Sequence, residues 1–200
     1  MNTIGKRVCY LDGTAACYKS SILSSLSESD ICYTSSSDLT ELREEFPKFY
    51  TRQDGIQFVT IPWYSMFLSQ LFLSGRIGSE YNVMCCDRLP VATFVNDLIF
   101  KNEDKLSIQD LKEILPKWCI DFFNTTKTIF LIDTDIDAVK KRLIKRGGFD
   151  TDRATDEYFI LQNNYFKAVS EICNIPCIDI NGKSYSYVCN FVKDWITSNV

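Results

Sequence analysis

The segment VCYLDGTAACYKSS, residues 8 to 21, carries the residue types a phosphate-binding loop needs. The mononucleotide-binding pattern is a glycine, four free positions, then Gly-Lys followed by Ser or Thr. Gly13, Lys19 and Ser20 fall in place, while Tyr18 stands where the second glycine is expected. In a working loop the backbone N–H groups and the helix N-terminus supply partial positive charge to a phosphate. The lysine adds a mobile cation and the hydroxyl reaches Mg²⁺. That chemistry would fall on Gly13, Thr14, Ala15, Ala16, Cys17, Tyr18, Lys19, Ser20 and Ser21, with Ser20 at the metal. The alternative is a strand–turn–helix with no ligand.

Two further stretches carry groups suited to the same task. NVMCCDRLP places Asp87 and Arg88 just past an apolar run. At the carboxyl end of a parallel strand they would face the crevice in which α/β sheets bind ligands. Asp87 could then hold Mg²⁺ or orient an acceptor, and Arg88 could clamp a phosphate; a structural ion pair is the other reading. VKKRLIKRGGFDTDR sets Arg142 and Arg146 four apart on one helical face, with Arg153 beyond a Gly-Gly turn. Arginines on a flap can close over the oxygens of a transferring phosphoryl group, whereas a solvated basic helix end would do nothing of the kind. Trp63, Tyr64 and Phe67 could stack on a base or simply fill a core.

The elements that must position these groups are visible as five apolar or β-branched runs, at residues 6–11, 30–34, 81–86, 127–133 and 176–180. They do not alternate and each ends in a polar break, the pattern of strands covered on both faces of a parallel sheet. Helix-length patterns lie between them, the one over 135–148 ending in Lys/Arg and a glycine pair. Alternating strands and helices with no linker predict a single α/β domain spanning residues 1–200.

Composition narrows the function classes. With 22 basic and 26 acidic residues the net charge is −4, which argues against a nucleic-acid polymer or an anionic membrane as partner. No apolar run reaches the roughly 18 residues a membrane span needs. Nine cysteines, an odd number that includes the neighbours Cys85 and Cys86, with no signal peptide, point to a reducing compartment and a cytoplasmic protein. The chain has no histidine, which removes serine-protease triads and histidine bases and leaves Cys173 and Cys177 a poor zinc site.

Taken in order, LDGTAACYKSSIL, NVMCCDRLPVATFVND, TIFLIDTDIDAVKKRLIKRGG, DRATDEYFILQNNYFKAV and CIDINGKSYSYVCNFV resemble the thymidylate kinase and deoxynucleoside kinase superfamily over nearly the whole chain. The resemblance implies a three-layer P-loop kinase fold, with a five-stranded parallel sheet in the order 2-3-1-4-5 and a short arginine-bearing lid over about 142–156. It implies ATP and Mg²⁺ at the first loop, and a nucleoside or nucleoside monophosphate as acceptor near the third helix. Asp87 and Arg88 then position acceptor and phosphate, Arg142, Arg146 and Arg153 serve the lid, and Asn181, Gly182 and Lys183 lie beside adenine. Trp63, Phe67, Gln70, Arg88 and Asn96 would line the acceptor pocket, and relatives dimerise through helices of the type spanning 56–75 and 89–101.

The two branches imply different acceptors. Arg146-Gly147-Gly148 with Asp152-Arg153 resembles thymidylate kinases, which phosphorylate a monophosphate and need no strong base. A nucleoside hydroxyl would need one, for which Asp38 is the candidate, although a helix N-cap is its other reading. Ala16 and Tyr18 both replace glycines usual in the family, so a catalytically degenerate nucleotide- or protein-binding homologue stays open beside the kinase, as does a small-metabolite kinase.

Overall fold

The computed structural model describes residues 8–28, 33–35, 83–87, 95, 99, 107–114, 120–121, 127–147 and 154–199. The elements run β1 (Val8–Gly13), α1 (Lys19–Glu28), β2 (Tyr33–Ser35), β3 (Met84–Asp87), α2 (Ile108–Ile114), β4 (Lys127–Ile132), α3 (Ile136–Arg146), α4 (Asp156–Cys173), β5 (Cys177–Asp179) and α5 (Tyr185–Asn199). All strand pairs are parallel and the order is β2-β3-β1-β4-β5, as the family resemblance implied. Of the helical spans linked to dimerisation, 56–75 lies outside the described residues. Within 89–101 only Val95 and Ile99 are described, both helical and buried.

The absence of alternation in the strands has a direct cause. Successive side chains of a strand point to opposite faces, and here each face meets helices. Cys9, Leu11, Cys85, Ile129 and Leu131 pack with Ile22, Leu23 and Leu26 of α1 and Val188, Val192 and Ile196 of α5. Tyr10, Cys86, Phe130 and Ile132 pack with Leu111 of α2 and Tyr165, Phe166 and Val169 of α4. The Phe130 and Phe166 rings meet edge to face with centroids 5.1 Å apart. This is the three-layer arrangement: helices, sheet, helices.

Local chemistry fixes the ends of the helices around the site. Asp135 caps α3 by accepting from the Ala138 N–H at 2.9 Å, and Gly147, at φ +69°, returns its N–H to Leu143 and Ile144. Thr155 caps α4 at the Tyr158 N–H, and Asn174 ends it in a left-handed conformation. The strand ends differ by a residue or two from the apolar runs. Asp87 is the last residue of β3, paired in register with Leu11, and does not lie past the strand as its sequence position suggested. Arg142 and Arg146 lie in the last two turns of α3, so the expected lid begins as helix.

Candidate active site

β1 runs straight into the loop. Gly13 ends the strand at φ +129°, and a Cβ built there would lie 1.9 Å from the Leu131 carbonyl oxygen on β4. Only glycine lets the two backbones come so close. The approach is used: the Thr14 N–H donates to that same Leu131 oxygen at 2.9 Å. The Gly13 N–H donates to Oδ1 of buried Asp12 at 2.8 Å, and the Ala15 N–H to Oε1 of Gln162 at 3.1 Å. Ala16 and Tyr18 adopt positive φ, 56° and 64°. These are the two positions where glycine was expected, and the backbone keeps the left-handed turns there at a cost on the order of 1 kcal/mol each.

The loop ends as α1 begins. The first helical bond runs from the Ile22 N–H to the Tyr18 carbonyl at 2.8 Å. The N–H groups of Ser20 and Ser21 therefore have no intrahelical acceptor, and α1 presents its positive end at the loop. Lys19 is buried with its ammonium turned back into the loop, donating to the carbonyls of Gly13 (3.0 Å) and Thr14 (2.6 Å). The Ser20 hydroxyl donates to Oδ2 of Asp87 at 2.9 Å, tying the helix start to the end of β3. The other oxygen of Asp87, Oδ1, is buried and has no hydrogen-bond partner among the described residues. A hydroxyl beside a carboxylate with an unused buried oxygen is a donor set that suits a hard divalent cation such as Mg²⁺.

Tyr18 is held by neighbours on two helices. Its ring meets Tyr185, the first residue of α5, edge to face at 5.5 Å. The Arg142 guanidinium lies over the same ring, 5.0 Å from its centroid. Tyr185 in turn donates its hydroxyl to the Ser21 carbonyl at 3.0 Å.

Arg142, expected as a lid arginine, is bonded at Nε and Nη2 to the frame of the loop. Its Nη2 pairs with Oδ2 of Asp133, and its Nε donates to the Ala16 carbonyl at 2.8 Å. Burial pulls its pKa down, but the bond and charge of Asp133 outweigh this and raise it, so the guanidinium stays charged. The network continues inward: Asn163 Nδ2 donates to the Asp133 carbonyl at 2.7 Å, and Thr14 Oγ1 donates to Asn163 Oδ1 at 2.6 Å. Cys17, fully inside the loop, is no nucleophile. Burial pushes its thiol up to about 12, with Lys19 and Arg142 pulling the other way and Asp133 adding to the rise.

The structure thus brings Gly13, Lys19, Ser20, Asp87 and Arg142 around one loop. Arg146 is exposed at the end of α3. Asn181 and Gly182 form an exposed turn after β5, tied to it by the Asn181 N–H to Asp179 and the Lys183 N–H to Ile180. Asp38, Trp63, Phe67, Gln70, Arg88, Asn96 and Arg153 lie outside the described residues. Sequence reasoning missed Asp12, Asp133, Gln162 and Asn163. Asp133 had a signal: it closes the run KTIFLID as Asp87 closes NVMCCD. Gln162 and Asn163 had one too, being polar residues on the stripe marked by Phe159 and Phe166.

No family model and no curated protein sequence matches this chain. Solved structures do. Deoxyadenosine kinase from M. mycoides with bound dATP superposes with a TM-score of 0.64 at 13% identity, covering 96% of this chain and 99% of that one. Thymidylate kinase from Candida albicans gives a TM-score of 0.63 at 16% identity, covering 98% and 92%.

Proposed function

We propose, from the premise that this chain has the fold of P-loop nucleoside and nucleotide kinases, that it transfers a phosphoryl group from ATP to a deoxynucleoside or a deoxynucleoside monophosphate. The observation that carries the reading is the pairing of Ser20 with Asp87 beside the buried Lys19, at the carboxyl ends of β1 and β3. Buried charges are costly unless they are paired, hydrogen-bonded or bound to a metal, and Oδ1 of Asp87 has no partner among the described residues, which leaves it for a cation.

In this reading the triphosphate lies on the start of α1, where the Ser20 and Ser21 N–H groups and the helix dipole meet its charge. Lys19 exchanges its bonds to the Gly13 and Thr14 carbonyls for phosphate oxygens. Ser20 and Asp87 would hold Mg²⁺, which when bound neutralises part of the phosphate charge. Arg88 and Arg146 supply charge toward the transferring group, and Asn181, Gly182 and Lys183 flank the base. Phosphoryl transfer asks for positioning and charge stabilisation more than covalent chemistry, so such a set suffices. A monophosphate acceptor attacks through its own oxygen; a nucleoside would need a base such as Asp38. The same reading takes in the cytoplasmic location suggested by the nine cysteines and the homodimer implied by the family resemblance.

Steady-state assays with ATP, Mg²⁺ and each of dTMP, thymidine, deoxycytidine and deoxyadenosine test the reading. Turnover of one of them that falls at least about 10²-fold in Lys19→Met supports it. Folded wild-type protein that turns over none and binds no ATP in calorimetry refutes it.

A further inference from the structure

We infer that Arg142 is a positioning residue that holds the loop in its phosphate-binding shape, substituting for the two glycines the loop lacks. Four observations converge on it. Ala16 and Tyr18 are the non-glycine residues at positive φ within the loop, and Arg142 contacts both. At Ala16 it binds the backbone itself, through Nε to the carbonyl at 2.8 Å. At Tyr18 it covers the ring at 5.0 Å, while Tyr185 meets that ring from α5. Its remaining contact is with the buried Asp133 carboxylate, whose second oxygen accepts the Asp135 N–H at 2.9 Å.

The physical logic is conformational. A glycine at positions 16 and 18 would enter the left-handed region without penalty, so the loop could hold its shape alone. Alanine and tyrosine favour other backbone conformations and would leave it unless something held them. A guanidinium suits the task because its rigid fork reaches a carbonyl and a carboxylate at fixed angles while its face lies on an aromatic ring. The tyrosine ring, far from filling the cradle, is the handle by which α3 and α5 grip the loop. Arg142 therefore acts through the loop's backbone and is not spent on the transferring phosphoryl group.

For its ligand arm alone the inference rests on the nucleotide-binding reading, so the test has one arm with ligand and one without. Without ligand, backbone chemical shifts report φ at residues 16 and 18. The wild type is expected to show left-handed values, and Arg142→Met, which keeps the unbranched stem but none of the donors, is expected to lose them. Unchanged shifts in Arg142→Met overturn the inference. With Mg²⁺ and a non-hydrolysable ATP analogue, Arg142→Met is expected to bind at least about tenfold more weakly. The triple variant Arg142→Met/Ala16→Gly/Tyr18→Gly is expected to recover to within about threefold of wild type. A triple variant that stays as weak as Arg142→Met means Arg142 touches the ligand itself, which also overturns the inference. If the wild type binds no analogue, the function reading fails and the shifts alone decide the clamp. Should Arg142→Met not fold, Arg142→Lys serves in both arms, since it keeps the charge but loses the fork.

Discussion

Replacing Gly13 by alanine is expected to cost far more than the one methyl group suggests. The added Cβ would sit 1.9 Å from the Leu131 carbonyl oxygen and 2.7 Å from the Leu131 N and C, all backbone atoms of the neighbouring strand. No side chain can swing away, so β1 and β4 must separate at the point where the Thr14 N–H bonds Leu131. Overpacking of this kind costs about 1–3 kcal/mol, backbone strain at positive φ about as much again, and the lost hydrogen bond about 1 kcal/mol. A total of about 3–7 kcal/mol, set against an unfolding entropy near 0.4 kcal/mol/K for a chain of this size, lowers Tm by roughly 7–17 °C. Gly182 provides the control: it too has positive φ, at +69°, but a Cβ there meets nothing within 4 Å. Gly182→Ala is expected to lose only about 2–5 °C, for about 1–2 kcal/mol of left-handed backbone conformation alone. Both are read by calorimetry or circular dichroism on the same preparation. If Gly13→Ala melts no lower than Gly182→Ala, the close approach of β1 to β4 is not what fixes this glycine.

Other outcomes follow from the same contacts. Thr14→Val keeps the shape but leaves the buried Asn163 Oδ1 without its donor; a cost of about 1–3 kcal/mol lowers Tm by roughly 2–7 °C, measured by thermal melts. For Asp179, burial pushes the carboxyl up, but bonds from the Thr134 hydroxyl and the Asn181 and Thr134 N–H groups outweigh it and hold the pKa below the usual range. The ionised form is thus favoured in the folded state, so its contribution is whole above about pH 4 and is lost as pH falls below that. Urea midpoints of wild type and Asp179→Asn are expected to keep a constant gap above about pH 5 and to converge as pH falls from about 4 toward 2; a gap that persists unchanged to about pH 2 would disprove the assignment. The buried thiols of Cys9, Cys17, Cys85 and Cys86 are expected to stay unlabelled by a maleimide at pH 7 in the native protein and to label on denaturation, counted by mass spectrometry.

The parts of the fold readable in the sequence are those with local causes. The strands show as apolar runs because both faces of the sheet are covered, and Lys19 and Ser20 show because a phosphate loop is built within eight consecutive residues. The strand order came from the family resemblance and not from any run of residues. The pairings that frame the loop have no local signal, even where a single residue such as Asn163 stands out: Thr14 and Asn163 meet across a separation of 149 residues, and Arg142 and Ala16 across 126. Arg142 reads from sequence as a lid arginine because its charge and its place before Gly147-Gly148 are local, while the carbonyl and carboxylate that occupy it are not.

That separation bears on how the chain is made. At the pace of synthesis, on the order of 5–20 residues per second, the loop leaves the ribosome many seconds before α3 and α4 exist. Ala16 lacks Arg142 until residue 142 has emerged, and Ala15 and Thr14 lack Gln162 and Asn163 until residue 163 has. A nascent chain halted at residue 132, the end of β4, would carry the full loop sequence without three of its anchors. The site therefore matures last although its sequence comes first, and a truncation after β4 would remove the shape of the loop along with the helices.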